Sequence, residues 1–185
     1  MIAQTQHHKI LFAGPVGAGK TTAIAAVSDI DVVSTDTAAT DDVQSRKANT
    51  TVAMDFGTIQ VDEKLSIRLV GTPGQVRFSF MWEILAQGAI GLIILIDTAR
   101  PDPIADLHEY LQHFQFLMGR PEVATAIGLT RMDLGRGPPR QTYVDALSKH
   151  DLLLPVVEID ARNREDVREV LLILAAMLES TARGH

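Results

Sequence analysis

Residues 14–22 read Gly14-Pro15-Val16-Gly17-Ala18-Gly19-Lys20-Thr21-Thr22, and no other segment constrains the fold as strongly. The run fits Gly-x-x-x-x-Gly-Lys-[Ser/Thr], the phosphate-binding loop. Its glycines let the backbone curl so that successive N–H groups point at one anion. Lys20 can reach the β- and γ-phosphates of a nucleotide, and the Thr21 hydroxyl can bind Mg²⁺. Ahead of the loop, Lys9-Ile10-Leu11-Phe12-Ala13 is apolar and strand-like; behind it, Thr22-Ala23-Ile24-Ala25-Ala26-Val27 suits a helix. Strand, loop, helix is the context this motif requires. A helix starting near Gly19 sets its positive dipole end beneath the phosphates.

The remaining chain alternates in the same way. Strand candidates are residues 9–13, 51–61, 64–70, 91–97, 123–129 and 154–159. The second and third are separated by the polar step Asp62-Glu63 and read as an antiparallel hairpin. The others are short aliphatic runs divided by helical segments, which suits buried parallel strands. Helices are expected over residues 20–28, 77–87, 103–117, 142–148 and 164–180, with Asp102 and Asn163 as caps of the last two long ones. The predicted fold is α/β, built around its phosphate loop: a six-stranded, mostly parallel sheet with one antiparallel hairpin, flanked by helices. One domain over residues 1–185 accommodates it. Residues 34–50 are rich in Thr, Asp and Ser without apolar periodicity, and their place between loop and hairpin predicts a nucleotide-sensing loop.

Composition removes other classes. A formal net charge of −6 without a basic cluster makes nucleic acid a poor partner. Zero cysteines exclude disulfides, thiolate zinc sites, prenylation and palmitoylation, and Ile2 excludes N-myristoylation. The apolar run 90–96 is too short to cross a bilayer. No lipid anchor or transmembrane segment is expected, and the default location is cytoplasmic. His7-His8 reads as a solvated pair rather than a metal site.

Three further segments carry chemistry. Val70-Gly71-Thr72-Pro73-Gly74-Gln75 ends the third strand, where sheets of this kind bind ligands. Gly74 can offer an N–H to a γ-phosphate, and Gln75 can orient a water for in-line attack. Thr130-Arg131-Met132-Asp133 follows the fifth strand; an Asp there accepts both N–H groups on the guanine edge, a donor pair adenine lacks. Asp160-Ala161-Arg162 ends the last strand, and the Ala161 N–H can meet guanine O6.

The order and spacing of these motifs, with Thr51-Val52-Ala53-Met54-Asp55-Phe56-Gly57, resemble the Ras-like small GTPases over the whole chain. Thr51 to Gly57 is similar to the Thr-Ile-Gly-Val-Asp-Phe-Gly of Rab proteins. The nearest resemblance is to bacterial GTPases of the gliding-polarity and conservon group, which work with roadblock-type partners. The resemblance implies a GTP/GDP switch hydrolysing GTP slowly, with Gln75, Lys20 and Thr51 catalytic. It implies Mg²⁺ on Thr21 and Thr51. It also implies nucleotide contacts from Gly14 to Thr22 and from Gly74, Thr130, Arg131, Asp133, Ala161 and Arg162. Two departures stand out. Gly71 replaces the second-switch Asp that normally holds a water of the Mg²⁺ shell, which predicts weak Mg²⁺ dependence, with Asp97 or Asp36 as the stand-in carboxylate. Thr-Arg-Met-Asp replaces Asn-Lys-x-Asp, and Arg131 keeps a planar cation that can lie along base and ribose. Arg46 is a candidate arginine finger in cis. Trp82 is expected to face the core, and one or two of Phe78, Phe80, Met81 and Trp82 to face a partner.

The rival readings are a constitutive GTP-binding module with negligible hydrolysis, and a P-loop kinase whose lid would draw on Arg136 and Arg140.

Overall fold

The computed structural model describes residues 6–34 and 54–183. Among them run, in order, β1 (Gln6–Ala13), α1 (Lys20–Val27), β2 (Val33–Ser34), β3 (Asp55–Gln60) and β4 (Leu65–Gly71). Then come α2 (Trp82–Leu85), β5 (Ala89–Asp97), α3 (Pro103–Met118), β6 (Ala124–Thr130), α4 (Arg140–Ser148), β7 (Val156–Glu158) and α5 (Arg164–Arg183). The strands form one sheet in the order β2-β3-β4-β1-β5-β6-β7. The pairings β1–β4, β1–β5, β5–β6 and β6–β7 are parallel.

The central strands are apolar on both faces because helices cover both. Leu11 and Ala13 of β1, with Leu92, Ile94 and Ile96 of β5, pack with Leu107, Tyr110 and Phe114 of α3 and Tyr143 of α4. The alternate residues Ile10, Phe12, Ile93 and Leu95 meet Ala23, Ile24 and Val27 of α1 and Val167, Val170 and Leu174 of α5. The two-residue period of a strand divides one aliphatic run between two cores. Caps fall where expected: Asp102 Oδ1 accepts from the Ala105 N–H at 2.9 Å, with Pro103 opening α3. Asn163 Oδ1 accepts from the Glu165 N–H at 2.9 Å ahead of α5.

Two expectations need correction. The sheet has seven strands, not six. The extra one is β2, two residues paired antiparallel at the edge of β3, so a second antiparallel pairing joins the β3–β4 hairpin. Two residues carry no readable periodicity. The helix expected over 77–87 is a 3₁₀ stretch, Val76–Met81, followed by the single turn of α2. Aromatic and β-branched residues crowd that stretch and form α-helix poorly, while Trp82, 1% exposed, fixes its end in the core.

The carboxyl ends of β1, β4, β5, β6 and β7 lie along one edge, where ligands bind in parallel sheets. The chain leaves β1 through Gly14, at φ 139°, a conformation open to glycine alone. A Cβ at Gly14 would lie 2.2 Å from the Leu95 carbonyl oxygen. Gly14→Ala is therefore expected to destabilise the fold by roughly 3 kcal/mol, as overpacking adds to backbone strain. A thermal or urea melt indistinguishable from the unsubstituted protein would contradict this packing.

Candidate functional site

The phosphate loop is built as the motif requires. Gly17 and Gly19 take positive φ, and α1 starts at Lys20. Lys20 Nζ donates to the Gly14 carbonyl at 2.7 Å and the Pro15 carbonyl at 2.8 Å. Burial pushes its pKa down to about 8, with the Asp55 carboxylate pulling the other way. Phosphate oxygens arriving beside Lys20 favour its charged form.

Thr21 Oγ1 donates to Asp55 Oδ2. Asp55 begins β3, is 7% exposed, and sits opposite Gly71 across the β3–β4 ladder. A Cβ at Gly71 would come within 3.2 Å of Asp55 Oδ2 and 3.3 Å of Ile24 Cδ1. The missing side chain at 71 is thus the space that the Asp55 carboxylate fills. A buried carboxylate beside the Thr21 hydroxyl is a hard oxygen donor set that suits Mg²⁺.

Of the two carboxylates expected to stand in, only Asp97 lies among the described residues. Asp97 is engaged elsewhere: its Oδ2 takes Arg131 Nη1 at 2.9 Å, and its Oδ1 accepts from the Ala99 N–H at 2.9 Å. Asp36, Thr51 and Arg46 lie outside the described residues.

Beyond the loop opens a cleft of about 550 Å³. Ala18, Gly19 and Thr22 form one side; the segments 130–134 and 158–162 form the other. The structure brings Thr130, Arg131, Asp133, Ala161 and Arg162 together around it. Thr130 is turned inward, its Oγ1 donating to the Ala18 carbonyl at 3.0 Å and the Ile96 carbonyl at 3.3 Å, so it braces the phosphate loop. Arg131, at φ 59°, bridges the ends of two elements: besides Asp97, its Nη2 donates to the Gly17 carbonyl at 3.2 Å. Arg162 pairs with Asp160 at 2.7 Å, and its side-chain and backbone N–H groups hold the Asp160 carboxyl down to about 2. Asp166 Oδ2 accepts from the Asp160 N–H at 2.8 Å and fixes the turn that carries Ala161.

Across the phosphate loop lies the segment 72–75. The Thr72 N–H donates to the Phe12 carbonyl at 2.9 Å, which ties the segment to β1. A Cβ at Gly74 would come within 2.7 Å of Val16 N and 2.8 Å of Lys20 Nζ. Gln75 is exposed beside it. Four contributors escaped the sequence reading: Asp55, Asp166, Trp82 as a hydrogen-bond donor, and Tyr110. Only Asp55 had a signal, since its motif segment pairs by register with the anomalous Gly71.

A sequence model of the family described as "Conserved hypothetical ATP binding protein" matches residues 12–182. The chain belongs to this family. It is a P-loop nucleotide-binding protein, with the α/β fold and mostly parallel sheet described above. Ras-related proteins are similar to it at greater distance. Rab-18-B of Danio rerio is 24% identical over 188 residues, covering 96% of this chain and 85% of that protein. Ras-related protein SEC4 of Saccharomyces cerevisiae is 24% identical over 133 residues, covering 70% of this chain and 61% of SEC4. An uncharacterised protein of Methanocaldococcus jannaschii is 36% identical over 50 residues, 27% of this chain and 32% of its own. Among the described residues of this ATP-binding-family member, no helix is long and apolar enough to cross a membrane.

Proposed function

We propose that the protein is a small GTPase, a GTP/GDP switch with slow intrinsic hydrolysis, formed as one domain over residues 1–185. The observation that carries this reading is the cleft that runs from the phosphate loop to Asp133 and Ala161. Its shape and donor set suit a purine nucleoside held at both ends, and Asp133 supports guanine as the base.

Lys20 and the loop N–H groups hold the phosphates, Gly74 offers its N–H to the terminal one, and Gln75 aligns the attacking water. Thr21 and Asp55 would hold Mg²⁺, with Thr51 as a further ligand in the GTP state, and the ion would supply positive charge against the phosphates. Residues 71–80 order around the γ-phosphate and relax after its loss.

Phe80 is 67% exposed and Ile84 64%, two apolar groups on the segment that follows Gln75, which suit a partner reading the second switch. A cytoplasmic location and a roadblock-type regulator, as in the bacterial gliding-polarity and conservon group, complete the reading.

The nucleotide carried by purified protein, identified by chromatography, tests it; GDP or GTP is expected. The family description names ATP, which favours an adenine nucleotide, and recovery of ADP or ATP alone would overturn the guanine assignment. Single-turnover hydrolysis without any partner then separates a switch from a static binding module. Without an activating arginine, Ras-type hydrolysis runs about 10⁵-fold below the activated rate. We expect a slow unsubstituted protein, a further loss in Gln75→Leu, and little change in Arg46→Ala. Fast turnover that collapses in Arg46→Ala would show a finger built into the chain.

A further inference from the structure

Pro73 and Gly74 are gripped on the side away from the phosphate loop by two aromatic donors. Trp82 Nε1 donates to the Pro73 carbonyl at 3.0 Å. The Tyr110 hydroxyl donates to the Gly74 carbonyl at 2.9 Å, across 36 residues of sequence. Both side chains are 1% exposed. Their rings stack at 5.2 Å, and Phe114 lies against the indole at 5.0 Å. Two buried, mutually packed donors thus hold two consecutive carbonyls.

The grip fixes more than carbonyls. No peptide among the described residues is cis. In a trans peptide the C=O and the following N–H point in opposite directions. Holding the Pro73 carbonyl on the indole therefore turns the Gly74 N–H away from Trp82. Holding the Gly74 carbonyl on Tyr110 does the same for the Gln75 N–H and sets where the Gln75 side chain begins. Gly74 meanwhile abuts Val16 N and Lys20 Nζ, the groups that receive a terminal phosphate in the proposed function.

We propose that Tyr110 and Trp82 are positioning residues that preset the Gly74 N–H and Gln75 for a nucleoside triphosphate, so that they favour triphosphate over diphosphate. The inference rests on the nucleotide-hydrolase reading, but not on which base is bound. Burial, with Glu109 and Asp106 nearby, pushes the Tyr110 hydroxyl well up from its ordinary range, so it remains a donor at every working pH. A hydrogen bond of this kind contributes about 1 kcal/mol, or roughly a fivefold factor, net of solvent exchange.

Tyr110→Phe removes the hydroxyl and keeps the stacked ring; Trp82→Phe removes the indole donor by a second route. Affinity is measured for the diphosphate and for a non-hydrolysable triphosphate analogue of the preferred base, together with single-turnover hydrolysis. In Tyr110→Phe, diphosphate affinity should stay within twofold. Triphosphate affinity should fall about 3- to 10-fold, and the hydrolysis rate at saturation should fall by at least as much. Trp82→Phe should shift the triphosphate-to-diphosphate ratio in the same direction. Equal loss for both nucleotides means that the aromatics only stabilise the fold, and overturns the proposal. An unchanged ratio and rate in Tyr110→Phe overturns it as well. An unsubstituted protein that binds neither guanine nor adenine nucleotides sinks the functional reading itself, and this inference with it.

Discussion

ATP should displace a fluorescent GDP analogue at least ~100-fold less effectively than GTP, and Asp133→Asn should move the preference toward XTP. A site built to pair polar groups of its substrate rejects analogues that lack them by large factors, because its own buried groups are left unpaired. Asp133 lies on the cleft wall opposite the Ala18–Gly19 side of the phosphate loop. Neighbouring polar groups are already engaged. Thr130 braces the loop through Ala18, Arg131 is tied to Asp97 and Gly17, and Asp160 is tied to Arg162. Asp133 is exposed on the cleft wall with the Arg162 charge near it, and its carboxylate can accept from a base, with Ala161 lining the same cleft. Xanthine carries a carbonyl where guanine carries its amino group. An Asn amide that donates to that carbonyl replaces a carboxylate that accepts. The assay is a competition series with GTP, ATP and XTP on the unsubstituted protein and Asp133→Asn. Equal affinity for ATP and GTP removes the guanine assignment and returns the kinase reading to the front.

What the sequence made legible was local. The β1–loop–α1 unit, the capping of α3 by Asp102 and of α5 by Asn163, and the placement of Asp133 and Ala161 at strand ends all follow from short-range rules. Each needs only a motif, a cap or a strand terminus. What escaped depends on register or on packing between distant segments. Thr21 and Asp55 are 34 residues apart, and only the pairing of Asp55 with Gly71 places that carboxylate beside the loop. Asp97 looks equally suitable as a strand-end acid, until the positive-φ turn at Arg131 brings a guanidinium onto it. Trp82 was legible as a core residue from its helical spacing, yet its indole N–H contact with Pro73 arises because the segment is a tight 3₁₀ stretch rather than a helix. Strand β2 is too short to signal itself, and exists because β3 leaves a free edge beside Val33.

Chelating Mg²⁺ should accelerate GDP release steeply, and Asp55→Asn should flatten that response. The absence of a carboxylate at residue 71 by itself implies weak metal dependence; a carboxylate on the neighbouring strand argues for the opposite. Asp55 reaches the Thr21 hydroxyl beside the space that Gly71 leaves, so a carboxylate one strand across is placed where it could serve in place of one at residue 71. Removing a group that orients a metal ligand or its water typically costs 10- to 100-fold in metal affinity. Asp55→Asn keeps the shape and a hydrogen-bond acceptor but removes the charge. A Mg²⁺ titration of GDP release should therefore shift its midpoint upward by about 10- to 100-fold. Asp97→Asn should leave that midpoint in place, because the Asp97 carboxylate is bound to Arg131 and the Ala99 N–H. The complementary variant, Gly71→Asp, would put a second carboxylate within contact of the first. Two like charges so close in a buried site raise each other's pKa and resist folding, so this variant should melt lower than the unsubstituted protein. If Asp97→Asn shifts the midpoint and Asp55→Asn does not, the metal is held at the end of β5 and the role given to Asp55 is wrong.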